Sequence, residues 1–153
     1  KGHQVRLRMV GDGPDRASLE KQVELLGLVD QVIFEGAVNQ DRIRALYVLA
    51  DIFSIPSFAE GIPIVLMEAM AMEIPCVTTR ITGIPELIRN GKDGLLVAPS
   101  DTQGLADALE RLITDVQLRE ALGKHGRERV IERYNLAQNV DHLAHVFSAR
   151  IEI

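Results

Sequence analysis

The chain alternates strand-like and helix-like segments over most of its length, and this alternation limits its fold more than any other feature. Apolar and β-branched runs predict strands at residues 5–10, 32–34, 52–55, 76–78 and 95–97. Helical spacing and capping residues predict helices at residues 15–26 and 41–50, from residue 63, and at 85–89. Strands that alternate with helices form crossover units, so the pattern predicts an α/β fold with a doubly wound, Rossmann-like parallel sheet.

Element boundaries can also be predicted from local signals. Gly27 is expected to end the first helix, and Asn39 or Asp41 to cap the second. The strand at residues 52–55 is expected to be buried. From Thr102 onward the sequence is helical in two or three pieces, with breaks near residues 114–115 and 134–135.

Length and composition indicate one ordinary globular domain, residues 1–153, with a helical C-terminal region at 102–153. The net charge of −5, without a Lys/Arg run, argues against a nucleic-acid surface, which normally carries a basic stripe. Cys76 is the single cysteine, so no internal disulfide can form, and we expect it to be a small buried side chain. No apolar stretch reaches the length of a transmembrane segment.

In doubly wound folds, ligands bind beyond the carboxyl ends of the strands, which makes the loops there candidate site loops. These loops are residues 11–14, 36–40, 56–63 and 79–85. Gly11 and Gly13 match the start of a dinucleotide-binding fingerprint, but Arg16 stands where its third glycine should be. The preferred interpretation of residues 11–14 is therefore a tight strand-to-helix turn.

The strongest local signal is at residues 58–64, where a glycine-containing loop leads into a helix. Gly61, Ile62 and Ile64 carry backbone N–H groups near the helix N-terminus, where the helix dipole favours an anion. Gly61 also lets another group approach the backbone closely. Pro63 suits the first helical position, since no N–H is needed there. The segment predicts a phosphate-binding geometry.

Two carboxylates accompany this helix start. Apolar residues surround Glu68 at positions 64–72, so the helix is predicted to be buried and Glu68 to need hydrogen-bond donors. The two hydroxyls of a ribose would serve, and so would a buried ion pair with Arg80 or Arg42. Glu60 lies just before the helix, where a carboxylate that stabilises the helix dipole explains it without a ligand.

Taken together, these motifs resemble one enzyme family. The motifs that match this family in order and spacing are GDGP at 11–14, PS at 56–57, EGIP at 60–63, EAMA at 68–71, GIPE at 83–86 and NGKDGLLV at 90–97. From about residue 5 to the final helices, the chain resembles the C-terminal, donor-binding domain of retaining GT-B glycosyltransferases of family 4, also called group 1. The pair of glutamates alone is moderately specific, and the full set of motifs is much more so.

The resemblance implies a role for each matching position. Glu68 would accept hydrogen bonds from the ribose hydroxyls, and Glu60 would face the transferred sugar as the catalytic residue. Val38 would contact the nucleobase mainly through its backbone. The other donor-binding positions would be Gly61, Ile62 and Pro63 beside the sugar and diphosphate, together with Gly11, Gly13 and Glu86. For Glu86, a helix-dipole carboxylate is an equal alternative.

The implied reaction transfers a sugar from a nucleotide diphosphate to an acceptor hydroxyl, with retention of the anomeric configuration, in polysaccharide or cell-envelope glycan synthesis. The nucleotide sugar is a substrate; no cofactor is expected, and no residues have metal-ligand spacing. The implied location is cytoplasmic, or peripheral at the membrane. Two alternatives stay open: a nucleotide-sugar epimerase of the GT-B fold, and a non-catalytic nucleotide-binding module.

The chain also departs from the family pattern. Full-length members carry an Arg and a Lys on a first strand-helix unit, and a separate N-terminal acceptor domain, neither of which we recognise here. We therefore expect a fragment that is inactive alone. The missing strand would lie between the strands at 5–10 and 52–55. These two strands would then pair directly in a distorted sheet, or a partner chain would fill the gap.

The last predicted helix carries an apolar stripe at helical spacing, formed by Leu136, Val140, Leu143, Phe147 and Ile151. Leu136 and Val140 are expected to pack on their own domain. In the family this helix crosses back to the other domain, so Phe147 and Ile151 are expected to be exposed here. Such exposure would favour self-association of the fragment.

Overall fold

The computed structural model describes residues 2–151, and side chains for residues 2–149. Strands and helices alternate through five strands, and three helices follow. In order, the elements are β1 Leu7–Val10, α1 Arg16–Leu25, β2 Val32–Gly36, α2 Gln40–Val48, β3 Phe53–Ile55, α3 Ile64–Ala71, β4 Cys76–Thr79, α4 Ile84–Leu87, β5 Leu95–Val97, α5 Thr102–Thr114, α6 Val116–Arg133 and α7 Leu136–Ile151. The chain divides after Val48 into two compact units.

The first unit contains one pair of parallel strands and two helices. β1 and β2 pair in parallel, with Leu7 opposite Val32. Gly27 follows α1 with a φ of 66°, the left-handed conformation expected of a glycine that ends a helix. Asn39 is the cap of α2, because its side-chain Oδ1 accepts a hydrogen bond from the Arg42 N–H at 2.9 Å.

The second unit is built on a parallel sheet of three strands in the order β3-β4-β5. β4 is central and buried in all four of its residues. Cys76 begins it and is buried as predicted, and burial raises the pKa of its thiol. The core joins this sheet to α5 and α6 through the buried side chains of Val77, Leu95, Ala108, Leu112 and Leu122.

Parallel pairing in both sheets, with helices between the strands, confirms the predicted α/β class. Within residues 2–151, β1 pairs with β2 alone and β3 with β4 alone. Direct pairing of the strands at 5–10 and 52–55 is therefore wrong as a prediction, and a partner strand between them stays a prediction. No helix in this part of the chain is both long and apolar enough to cross a bilayer.

The structure corrects three predictions about burial and helix position. β3 is only partly buried and Ser54 is exposed, because this strand is hydrogen-bonded on one side only in its sheet. Pro63 lies one position before the helix, at the N-cap, because its ψ of 128° is extended. α3 is not buried all round: Leu66, Ala69 and Met70 are buried, whereas Ile64 is 68% exposed. Glu68 on this helix is half-buried.

The stripe on α7 is also more exposed than predicted. Leu136 and Val140 are 78% and 54% exposed, so the expectation that they pack on their own domain is wrong. Phe147 is exposed at 59%, as predicted, and the side chain of Ile151 lies outside the described residues. The sequence pattern shows that α7 is amphipathic, but not which surface covers its apolar side.

Candidate functional site

Two of the predicted site loops leave neighbouring parallel strands, β3 and β4, at the same edge of the second unit's sheet. The hydroxyls of β4 fasten the chain that leaves β3. Thr78 Oγ1 donates a hydrogen bond to the Ile55 carbonyl at 2.7 Å, and Thr79 Oγ1 donates to the Ser57 carbonyl. The sheet therefore fixes the start of the loop that carries Glu60.

Glu60 is held by a neighbour in its own loop. Ser57 Oγ donates a hydrogen bond to Glu60 Oε1 at 3.2 Å, and the Glu60 side chain is half-buried. This contact orients the carboxylate while leaving one side of it accessible. Ser57 thus helps to orient Glu60. The sequence analysis included it only in the PS motif at 56–57 and predicted no role for it.

The loop at Gly61 touches the loop that follows β4. A Cβ atom built on Gly83 would lie 3.0 Å from the Gly61 carbonyl oxygen and 3.1 Å from Ile62 Cγ1. Glycine at position 83 is therefore favoured by close approach of the backbone and not by its conformation, since its φ is −78°. The structure brings these two predicted site loops together. We call this contact the Gly61–Gly83 loop pair.

The loop pair lies at the start of α3. Pro63 is the N-cap, and its own side chain makes no capping hydrogen bond. A helix N-terminus favours an anion, because the helix dipole is positive at that end and backbone N–H groups point outward there. Glu68 follows one turn later on the same helix. Glu86 is exposed in the first turn of α4, which agrees with either role predicted for it.

Two carboxylates that the sequence analysis did not single out have buried side chains and bind arginines that are themselves partly exposed. Asp93 is 1% exposed, and Arg89 binds it at both oxygens, with Nε–Oδ2 at 2.7 Å and Nη2–Oδ1 at 2.8 Å. Burial raises the pKa of Asp93, but the hydrogen bonds from the Arg89 side chain and backbone outweigh it, so the pKa lies below its ordinary value. In the sequence, this ion pair is indicated by the spacing of four residues between Arg89 and Asp93.

The other buried carboxylate, Glu35, is in the first unit. Arg42 Nη2 lies 2.7 Å from Glu35 Oε2, and Arg8 binds the other oxygen. The hydrogen bond from Arg42 is the main reason that the pKa of Glu35 lies below its ordinary value, and Arg8 adds to it. Arg42, one of the two cations predicted as a partner for Glu68, therefore already binds another carboxylate.

The first unit carries Gly11, Gly13 and Val38. Gly11 and Gly13 line an open cleft of about 250 Å³ with residues that include Arg16 and Phe34. Gly11 has a φ of 122°, and its N–H donates to the Gly36 carbonyl at 2.9 Å. The Arg16 guanidinium carbon lies 5.9 Å from the centre of the Phe34 ring. Val38 is half-buried between β2 and α2, outside this cleft lining.

The structure thus groups the predicted residues within each unit: Gly11 and Gly13 in the first, and Glu60, Gly61 and Ile62 in the second. Among the side chains described, no three His, Cys, Asp or Glu residues are grouped so that they could hold a metal ion.

Comparison with known proteins identifies similar sequences. The family model for glycosyl transferases group 1 matches residues 1–129. The chain is 38% identical over 130 residues to N-acetyl-alpha-D-glucosaminyl L-malate synthase of Bacillus anthracis, covering 85% of this chain and 34% of that protein. It is 37% identical over 142 residues to the putative colanic acid biosynthesis glycosyltransferase WcaL of Salmonella typhimurium, covering 88% of this chain.

Solved structures show the same likeness. HepE of Anabaena, solved in complex with UDP-glucose, matches with a TM-score of 0.86 at 28% identity, covering 95% of this chain and 41% of that one. The chain spans 34% and 35% of the length of the two curated relatives. The matched region therefore corresponds to one part of longer proteins.

Proposed function

The chain belongs to the glycosyl transferases group 1 family, and on that basis we propose that it is the donor-binding part of a retaining glycosyltransferase. The observation that carries the proposal is the Gly61–Gly83 loop pair at the N-terminus of α3, next to the oriented carboxylate of Glu60. Support also comes from HepE, which is described in complex with UDP-glucose and shares this fold at 28% identity.

In the proposed complex, the donor diphosphate lies at the start of α3, where backbone N–H groups and the helix dipole stabilise its negative charge. Glu68, one turn further along α3, accepts hydrogen bonds from the ribose hydroxyls. Glu60, held by Ser57, faces the hydroxyls of the transferred sugar. Val38, Gly11 and Gly13, which lie in the first unit, stay predictions as donor-binding positions.

The proposed reaction breaks the bond between the anomeric carbon and the terminal phosphate oxygen, and forms a bond from the acceptor oxygen to the same carbon. The acceptor hydroxyl loses its proton to a donor phosphate oxygen, and the nucleoside diphosphate leaves. Charge on the leaving group is stabilised by the helix N-terminus, as preorganised dipoles do in other active sites. We propose that donor binding needs neither a metal nor a cofactor.

The wider setting is part of the proposal. An acceptor domain outside this chain would bind the hydroxyl that receives the sugar, and the isolated chain would bind donor without turnover. The name of WcaL supports a role in polysaccharide assembly. Another relative, N-acetyl-alpha-D-glucosaminyl L-malate synthase, is named for a glycosylated malate and not for a polysaccharide. We propose a cytoplasmic or peripheral membrane location for the whole protein.

Calorimetry of the 153-residue chain against UDP, GDP and ADP tests the donor proposal. One nucleotide should bind, and Glu68→Ala should weaken it about tenfold or more, the usual cost of losing hydrogen bonds to a charged group. Glu120→Ala, at an exposed position on α6, is the matched control and should bind as the unaltered chain does. Failure of all three nucleotides to bind, or equal affinity in the two variants, would contradict the proposal.

A further inference from the structure

Helix α6 reaches two other helices of the second unit through a pair of arginines. Arg127 Nη1 donates a hydrogen bond to the Ala71 carbonyl at 2.7 Å, at the last residue of α3. Arg129 Nη2 donates to the Glu86 carbonyl at 2.8 Å, and its Nε to the Leu87 carbonyl at 3.3 Å, at the end of α4. Residues two apart on a helix point to different sides, which lets one helix hold both neighbours.

These contacts fall where short helices need partners. The last carbonyl groups of a helix have no N–H donor within that helix. A positive charge at the same end also interacts favourably with the helix dipole. α3 has eight residues and α4 only four, and the two arginines add hydrogen bonds at the C-terminal end of each to the packing of their buried side chains. Hydrogen bonds from a charged guanidinium are stronger than those between neutral groups.

α6 itself fits its neighbours closely. A Cβ built on Gly123 would lie 2.1 Å from the Glu73 carbonyl oxygen, just beyond α3, and one on Gly126 would lie 3.1 Å from the Asp93 carbonyl oxygen. Asp93 in turn holds Arg89, which follows α4. The backbone of α6 therefore contacts the segments that follow both helices, and it leaves little room to shift against either of them.

The opposite ends of the same two helices form the candidate site. Gly61 precedes α3, Gly83 is the N-cap of α4, and the two meet in the Gly61–Gly83 loop pair. A displacement of α4 at its C-terminal end moves a helix of only four residues, so it also moves Gly83 at the other end.

We propose that Arg127 and Arg129 are positioning residues for the donor site: from α6 they hold the C-terminal ends of α3 and α4, and so set the spacing of the Gly61–Gly83 loop pair. The link to donor binding rests on the function proposed above. The link between α6 and the loop pair does not depend on it.

Amide NMR spectra of the 153-residue chain test the link to the loop pair without any ligand. Arg129→Ala should shift the amide signals of Gly61 and Ile62, which are far from position 129 in sequence. Arg133→Ala is the matched control and should leave these signals unchanged. Arg133 lies on the same helix, and its Nε is 3.6 Å from Oε1 of the adjacent Glu132. Spectra are compared at a temperature where thermal melts show every variant folded.

A second pair of variants separates positioning from general stabilisation. Arg129→Lys keeps the positive charge but lacks the planar fork that reaches two carbonyls, so it should recover thermal stability and still shift Gly61. Arg127→Ala should shift Gly61 through the other helix. If Arg129→Ala changes only the amides near residues 84–89, with Gly61 and Ile62 unmoved, the proposal is overturned.

Calorimetry with the tightest binder among UDP, GDP and ADP tests the link to the donor. Arg129→Ala should lower its affinity about threefold to tenfold, the range typical of residues coupled to a site they do not touch. Arg133→Ala should not lower it. Equal affinities in both variants would overturn the positioning role. If the unaltered chain binds none of the three nucleotides, the donor proposal fails, and the amide shifts alone decide the action of α6 on the loop pair.

Discussion

The contact between Gly83 and Gly61 makes a prediction about stability that needs no ligand. Gly83 has a φ of −78°, which alanine adopts without strain, so Gly83→Ala tests the contact alone. The added Cβ would meet the Gly61 carbonyl oxygen at 3.0 Å and Ile62 Cγ1 at 3.1 Å, closer than ordinary van der Waals contact. The first of these is a backbone atom, so relief requires the loop to move.

Overpacking of this kind costs about 1–3 kcal/mol of unfolding free energy. For a chain of this size, each 1 kcal/mol lowers the melting temperature by about 2–4 °C. The control lies on the other side of the same contact: a Cβ on Gly61 would meet no atom within 4 Å. Gly61→Ala should therefore change the unfolding free energy by less than about 0.5 kcal/mol.

Urea unfolding followed by circular dichroism measures both variants against the unaltered chain. The expected result is a lower midpoint for Gly83→Ala with an unchanged slope, and no change for Gly61→Ala. Equal effects of the two substitutions, or no effect of either, would show that the loops do not meet as described.

Three further predictions concern charge, metal and association. The pKa of Asp93 lies below its ordinary value of 3.8 in the folded chain, so its ion pair stabilises the chain above pH 3.8 and this contribution disappears as the pH falls through the lower folded-state pKa. Asp93→Asn should lower the free energy of unfolding by about 1–3 kcal/mol at pH 7. Measured by urea unfolding, the difference from the unaltered chain should shrink below pH 3.8. A difference that stays constant with pH would contradict the ion-pair account. A chelator such as EDTA should leave the calorimetric affinity for the nucleotide unchanged, whereas loss of binding would show that a metal takes part. The exposed stripe on α7 should drive concentration-dependent self-association in sedimentation experiments, and Phe147→Ser should reduce it where Thr102→Ser does not.

Much of the fold could be predicted from local signals in the sequence. The five strands follow from short apolar runs, and the break between α5 and α6 falls at Asp115, whose Oδ1 accepts a hydrogen bond from the Leu118 N–H at 2.9 Å. Gly27 and Asn39 likewise act where the sequence indicates. Each of these signals lies within a few residues of the structure that it specifies.

The features missed depend on residues that are distant in sequence or on which side of an element is covered. Arg129 lies 43 residues from the carbonyl of Glu86 that it binds, and no periodicity marks that contact. Glu68 was expected to be buried because its neighbours are apolar, but α3 is covered on one side only. Among the carboxylates described, Asp93 is buried at 1% exposure, where Gly126 of α6 packs against its backbone and Arg89 binds both of its oxygens.

The central claim is that Glu68 binds the ribose of a nucleotide held at the start of α3. The most direct test is a cycle that compares a ribonucleoside diphosphate with its 2′-deoxy form on the unaltered chain and on Glu68→Ala. We expect the unaltered chain to prefer the ribonucleotide about tenfold, since a hydrogen bond to a carboxylate is lost in the deoxy form, and we expect Glu68→Ala to bind both forms equally. If Glu68→Ala keeps the full preference for the ribonucleotide, Glu68 does not bind the ribose.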